Sequence, residues 1–128
     1  MRPPLALAAL VWLAAACASI DAKTTQYVGA PRFAPSDAKT VQILRAEPTQ
    51  PHDKLGEVML EVPTEPGPPV EEIEQRLREE AATLGASAVV VVFDRMQPVG
   101  AFVSGGWYTR TVDVVEERKI VGVAIRTR

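Results

Sequence analysis

Apolar and polar residues alternate at a spacing of two in two segments near the middle of the chain. In residues 55–62, LGEVMLEV, positions 58, 60 and 62 are aliphatic and lie on one side of an extended chain, while two glutamates lie on the other. This alternation predicts a strand with one buried face. Residues 40–46 alternate in the same way and predict an earlier strand. Residues 47–54, EPTQPHDK, contain two prolines and predict a loop between them.

A helical spacing follows, in residues 70–84. Apolar residues recur there every three or four positions, and charged residues fill the rest. Pro69 suits the first position of a helix, and Gly85 suits its C-terminal end. The segment therefore predicts an amphipathic helix with one face for a sheet.

The remaining strands are predicted after this helix. Residues 86–94, ASAVVVVFD, form an unbroken apolar run, which is typical of a strand covered on both faces. One helix covers only one face, so the later segment, another subunit or a curled sheet must cover the second. Residues 104–106, SGG, predict a hairpin turn, and residues 119–126 predict a last strand.

These elements predict one α+β domain over residues 40–128. It has a small, mostly antiparallel sheet with one main amphipathic helix packed on one face, in the order β-β-α-β-β-β. Residues 17–39 show no sustained period and contain two prolines and a glycine, so they predict a flexible tether. About twenty such residues have an average reach near 25 Å, enough to hold the domain clear of a membrane surface. The alternative is that part of this segment packs on the domain through Tyr27 and Phe33.

The first 16 residues have the layout of an export signal: Arg2, an apolar stretch and three alanines. The single cysteine, Cys17, follows directly. The segment LAAAC resembles the bacterial lipobox, which implies cleavage between Ala16 and Cys17 and acylation of Cys17, with palmitate among its chains. Because Ala18, not aspartate, follows, the resemblance implies the periplasmic face of an outer membrane. An uncleaved membrane anchor, or ordinary cleavage that releases a periplasmic protein, are the alternatives.

The domain resembles the YbjQ-like family, labelled heavy-metal-binding. Its helix end and next strand, AATLGASAVV at 81–90, match the family signature A-x-x-L-G-A-x-A-V. Three shorter segments match as well: LGEV at 55–58, VFD at 92–94 and VGVAI at 121–125. A similar arrangement occurs in the Rcs stress-sensing outer-membrane lipoprotein. The resemblance implies an α+β fold and allows a ring-shaped homo-oligomer. The disulfides of the stress sensor have no counterpart in a chain with one cysteine.

Composition limits the classes of function that the chain can have. The net charge is −2 and basic residues are scattered among acidic ones, which excludes the basic stripe of a nucleic-acid-binding protein. The single histidine, His52, stands beside Asp53 in the predicted loop, and a metal site needs more ligands than this pair. We therefore expect no metal and no cofactor, and a catalytic triad cannot be built around one loop histidine. The chain is not expected to be an enzyme.

An aromatic pair, Trp107 and Tyr108, follows the predicted turn, with Arg110 nearby. The pair has two interpretations: it covers the open sheet face beside residues 89–93, which we favour, or it contacts a protein, a glycan or a lipid headgroup. The sequence as a whole favours a non-enzymatic, lipid-anchored component of the cell envelope, structural, protein-interacting or stress-responsive. A small-ligand or metal-binding module is the alternative.

Overall fold

A computed structural model describes residues 19–64 and 66–128. The predicted signal peptide, its cleavage site at Ala16 and the lipid attachment at Cys17 lie outside the described residues. In the described part of the chain, none of the helices has the length and apolar character needed to cross a bilayer.

The described residues form one sheet and one α-helix. The sheet contains five strands in the order β1-β3-β5-β4-β2, in which β2 and β4 are parallel and all other neighbours are antiparallel. The elements are β1 (Asp21–Gln26), a 3-10 turn (Ala38–Thr40), β2 (Gln42–Leu44), β3 (His52–Pro63), α1 (Val70–Thr83), β4 (Ala88–Ser104) and β5 (Thr111–Thr127).

The predicted fold class is wrong. Strand accounts for 50% of the described residues and helix for 16%, and the sheet is mixed. The order is β-β-β-α-β-β, because an additional strand precedes the predicted first one and the predicted later strands merge into two. An α+β domain built on a small antiparallel sheet therefore does not describe this chain.

The additional strand, β1, lies in the segment that was predicted as a tether. It pairs with β3 along its whole length, from Asp21 opposite Glu61 to Gln26 opposite Gly56. Its residues alternate between exposed and half-buried. An edge strand of this kind is held by backbone hydrogen bonds to its neighbour and needs no apolar run of its own. Three residues, 18–20, separate Cys17 from the first strand.

Strands β4 and β5 form a hairpin of 17 residues on each side. They pair from Ala88 opposite Ile125 out to Ser104 opposite Thr111. The register shifts at two points, and Val92 and Val99 are the extra residues accommodated there. These β-bulges interrupt the alternation of apolar residues but not the pairing of the strands.

The main core lies between α1 and one face of the sheet, and the helix prediction for residues 70–84 is confirmed. Gly85, with a φ of 77°, ends the helix in the left-handed conformation expected of a glycine. The helix packs closely on the sheet at Gly122, where a Cβ atom would lie 2.6 Å from Val89 Cγ2 and 3.3 Å from Leu77 Cδ1. The buried residues of this core are Val41, Leu55, Val58, Leu60, Val62, Ile73, Leu77, Ala81, Ala82, Ala86, Val89, Ile120 and Ala124.

The opposite face of the sheet carries a smaller apolar cluster. Ala88, Val90 and Ile125 are buried there, and Leu44 and Val123 pack against them. Leu44 belongs to β2 and Val123 to β5, so these contacts come from strands of the same sheet.

Candidate interaction surface

The β4–β5 hairpin extends beyond the rest of the sheet. Strand β3 ends at Pro63, which pairs with Glu117. From that point outward every residue in the range 98–116 is exposed, and we call this range the arm. At about 3.3 Å per residue, the part of β4 in the arm is about 23 Å long.

One side of the arm is apolar in its outer strand pairs, and the other combines Phe102 and Val115 with the carboxylate of Asp113. The pairs Ala101–Val114 and Val103–Val112 lie on one side, and the pair Phe102–Asp113 lies on the other. Alternation along β5 places Val112 and Val114 on the same side as Ile120, which packs against α1. The apolar side of the arm therefore continues the core-facing side of the sheet, but without a helix to cover it.

The tip of the arm brings together the three residues that the sequence identified. Trp107 is 81% exposed and Tyr108 is 96% exposed. The guanidinium group of Arg110 lies 5.7 Å from the centroid of the Trp107 ring, within the range of a cation–π contact. The turn is closed by Thr109, whose backbone N–H donates to the carbonyl of Gly106 at 3.1 Å.

The favoured interpretation of the aromatic pair, cover for the sheet face beside residues 89–93, is therefore wrong. Strand β4 continues as far as Ser104, so its outer end carries Trp107 and Tyr108 away from Phe93. The guanidinium group of Arg95 lies 5.8 Å from the Phe93 ring instead. The other interpretation, a contact surface at the end of a loop, agrees with the position of the pair.

An ion pair stabilises the base of the arm. Arg118 donates from Nε and Nη2 to the two carboxylate oxygens of Asp94, each at 2.7 Å, and Arg45 Nη1 lies 3.5 Å from Asp94 Oδ2. Hydrogen bonds from Arg118 lower the pKa of Asp94, and the same contact raises the pKa of Arg118. Sequence analysis did not identify this pair, because the two residues are 24 positions apart and only the strand register brings them together.

Charge is distributed unevenly along the hairpin. Within residues 96–115, only Arg110 and Asp113 are charged. Charged residues are concentrated at the base instead: Asp94, Arg95, Glu116, Glu117, Arg118 and Lys119. The arm beyond this charged base is consequently an exposed surface with few charges.

The structure does not combine His52 and Asp53 into a site. His52 Nδ1 lies 2.7 Å from the Gln50 carbonyl oxygen and Nε2 lies 3.0 Å from Glu47 Oε1. Both contacts favour the protonated ring and raise the pKa of His52, with the Gln50 contact as the larger cause. Asp53 accepts a hydrogen bond from Arg128 instead. Across residues 19–64 and 66–128, no group of three or more His, Cys, Asp and Glu side chains is placed to hold a metal.

A small cleft lies beside the second apolar cluster. Its volume is about 290 Å³, and its lining includes Val90, Val123 and Ile125. Two charged lining residues, Glu47 and Lys54, form an ion pair with each other at 3.2 Å. Ligand pockets usually measure about 300–1,000 Å³, so the cleft lies at the lower limit of that range.

Comparison with known proteins provides information on the fold only. Neither a protein-family model nor a curated protein sequence matches the chain. The chain is similar to a solved structure, the orthorhombic crystal form of a Francisella virulence factor, FvfA, with a TM-score of 0.52 and 11% identity. The match covers 83% of this chain and 97% of that chain. The YbjQ-like resemblance, which none of these comparisons tests, stays a prediction.

Proposed function

We propose that this chain is a lipid-anchored protein of the cell envelope that acts by binding, without catalysis, and that the arm is its binding element. The observation that carries the proposal is the exposure of all residues in the range 98–116. A two-stranded hairpin is at best marginally stable in water by itself. Exposed apolar surface of this kind is typical of an interaction site.

The residues of the tip support binding rather than catalysis. Tyrosine, tryptophan and arginine are enriched at interfaces because each combines a large contact area with a polar group. Catalysis would require a nucleophile or base positioned by a second group. Near the arm, Asp94 and Arg118 are held by two hydrogen bonds to each other, which is the arrangement of an ion pair and not of a base beside a nucleophile.

The anchor in this proposal is the lipid on Cys17. The support is the sequence LAAAC after an apolar segment, together with Ala18, which favours the outer membrane. Envelope proteins and the bilayer itself are then the partners within reach, and a homo-oligomer is compatible with the exposed arm. The alternative to the anchor is ordinary signal cleavage, which would release the protein into the periplasm without a lipid.

Metabolic labelling with a fatty acid tests the anchor. We expect label in the wild-type protein and none in Cys17→Ser, and equal labelling of both would contradict the proposal.

Complementation of a strain that lacks the gene tests the arm. A Trp107→Ser/Tyr108→Ser variant should be labelled normally and fail to reverse any envelope defect that deletion of the gene causes. Val28→Ser, which changes an exposed residue outside the arm, is the matched control and should reverse that defect. Full reversal by the arm variant would exclude the arm as the binding element.

A further inference from the structure

We infer that the ligand of the arm is the bilayer surface itself, with Trp107 and Tyr108 at the level of the lipid headgroups beside the anchor. The inference rests on the proposed function, because it takes Cys17 as the point of attachment. It is carried by the position of β1 relative to the arm, by the length of chain that precedes β1, and by the distribution of charge along the hairpin.

The chain enters the sheet at the end from which the arm leaves. β1 begins at Asp21 and runs away from the arm, because it is antiparallel to β3. The start of β1 and the base of the arm lie in one row across the sheet, formed by Asp21, Glu61, Lys119 and Arg95. Neighbouring strands are about 4.8 Å apart, so the start of β1 is about 10 Å from β5. The start of β1 and the arm therefore lie at the same end of the sheet.

The connection to the anchor is shorter than the arm. Cys17 precedes Asp21 by four positions, and four residues of any chain span at most about 14 Å. From Lys119 in the same row, β5 extends outward for eight residues to Thr111, or about 26 Å. An upright domain would consequently place the tip about 12 Å deeper than Cys17. A folded protein partner has no room between such a tip and the membrane.

The chemistry of the hairpin sets the depth at which it lies. The outer edges of a two-stranded arm have unpaired backbone groups, which the hydrocarbon core of a bilayer does not tolerate. The interfacial layer on each side of that core is about 5–8 Å thick and retains water. Tryptophan and tyrosine are enriched in that layer, and Arg110 can bind lipid phosphates. We therefore expect the domain to lean, so that the apolar side with Ala101, Val103, Val112 and Val114 lies along the surface.

The single tryptophan of the mature chain makes the contact measurable. The sequence contains two tryptophans, and cleavage before Cys17 removes Trp12. The full-length gene is expressed, and the mature protein is purified in detergent and checked for its lipid by intact mass. It is then reconstituted into vesicles of phosphatidylethanolamine and phosphatidylglycerol that contain a lipid brominated at the upper part of its acyl chains. We expect a blue shift of Trp107 emission and strong quenching by the brominated lipid.

A second reporter provides the matched control. Val28 is fully exposed and follows β1 at its far end, about 20 Å farther from the arm. In a Val28→Trp/Trp107→Phe variant the fluorescence should not be quenched. Equal quenching of both reporters, or quenching of residue 28 alone, would overturn the inferred orientation. Unquenched Trp107 in protein that carries the lipid would overturn the membrane contact and leave a protein ligand for the arm. If the intact mass of the mature protein lacked the lipid, the proposed anchor would be wrong. The intact mass therefore tests the anchor, and the quenching tests the membrane contact of the arm.

Discussion

Arg118 and Asp94 form a two-hydrogen-bond ion pair where the arm leaves the sheet. In the strand register Asp94 lies opposite Ile120, and Arg118 lies opposite Met96. The two charged residues are therefore two positions out of direct alignment. The side chain of Asp94 is 22% exposed and that of Arg118 is 30% exposed. The contact thus joins β4 to β5 diagonally, next to the last pair between β3 and β5, Pro63 with Glu117.

Removal of this pair should destabilise the hairpin base. Hydrogen bonds to charged groups contribute about 1.5–3 kcal/mol when partly buried, so Arg118→Met should lower the free energy of unfolding by about 1–3 kcal/mol. Arg118→Lys should recover only part of the loss, because an ammonium group cannot make two parallel hydrogen bonds to a carboxylate. Urea denaturation followed by far-ultraviolet circular dichroism measures both. Arg95→Met, at an exposed position of the same region, is the control and should shift the midpoint little. An unchanged midpoint in Arg118→Met would show that the pair contributes nothing.

His52 should make stability depend on pH near neutrality. Its folded pKa is raised above the ordinary value of about 6.5 by Gln50 and Glu47. Folding therefore favours the protonated ring. The stabilisation is fully present below about pH 6.5 and is lost as the pH rises through the raised folded value. Because the chain has one histidine, an NMR titration reads this pKa directly.

Glu47→Gln tests the cause of that shift. The variant removes the carboxylate, so the pKa of His52 should fall toward its ordinary value and the loss of stability with rising pH should become smaller. Glu57→Gln, five residues farther along β3 than His52, is the control and should leave the titration unchanged. An identical pKa in the wild type and in Glu47→Gln would assign the whole shift to the Gln50 carbonyl.

Local patterns predicted two elements well. The spacing of Ile73 and Leu77, together with Gly85, is sufficient to define α1, because a helix is held by contacts within a few residues of one another. The alternation in residues 55–62 similarly predicts most of β3. Neither pattern determines which strand lies beside which, so the parallel pairing of β2 with β4 could not be predicted from these segments.

Non-local pairing explains what the sequence did not predict. Residues 21–26 form a strand only because β3 offers its edge, and their own composition predicts a tether. In the same way, Pro98 and Val99 interrupt the alternation of residues in β4, yet pairing with β5 extends β4 to Ser104. The tip residues Trp107, Tyr108 and Arg110 could therefore be identified from their type and from the preceding glycines. The distance of these residues from the sheet face depends on the length of the hairpin. The interrupted alternation of residues in β4 predicts a shorter hairpin than the structure has.

Gly122 should tolerate no side chain. A Cβ there would lie 2.6 Å from Val89 Cγ2, too close for any normal contact, so Gly122→Ala must shift the Val89 side chain, which is packed in the main core. Overpacking of this kind costs about 1–3 kcal/mol, and thermal unfolding should show a lower midpoint. Gly100→Ala, in the arm, is the matched control, because nothing lies within 4 Å of the position that its new methyl group would occupy. That variant should be neutral or slightly stabilising. Equal midpoints for the two variants would contradict the close packing of the helix on β5.

Thr24 tests whether residues 21–26 form a strand. Its hydroxyl group donates to Glu80 Oε2 on α1 at 2.7 Å, so the edge strand is joined to the helix as well as to β3. Thr24→Val keeps the shape and the strand propensity but removes this donor, and we expect a loss of about 0.5–1.5 kcal/mol in the free energy of unfolding. Thr25→Val, at the neighbouring exposed position, should change it little. Hydrogen exchange supplies the direct readout, since amides of β1 that are bonded to β3 should exchange more slowly than those of residues 28–35. If the two valine variants were equally stable and β1 exchanged as fast as that loop, the segment would be a tether, and the short connection between anchor and domain would no longer hold.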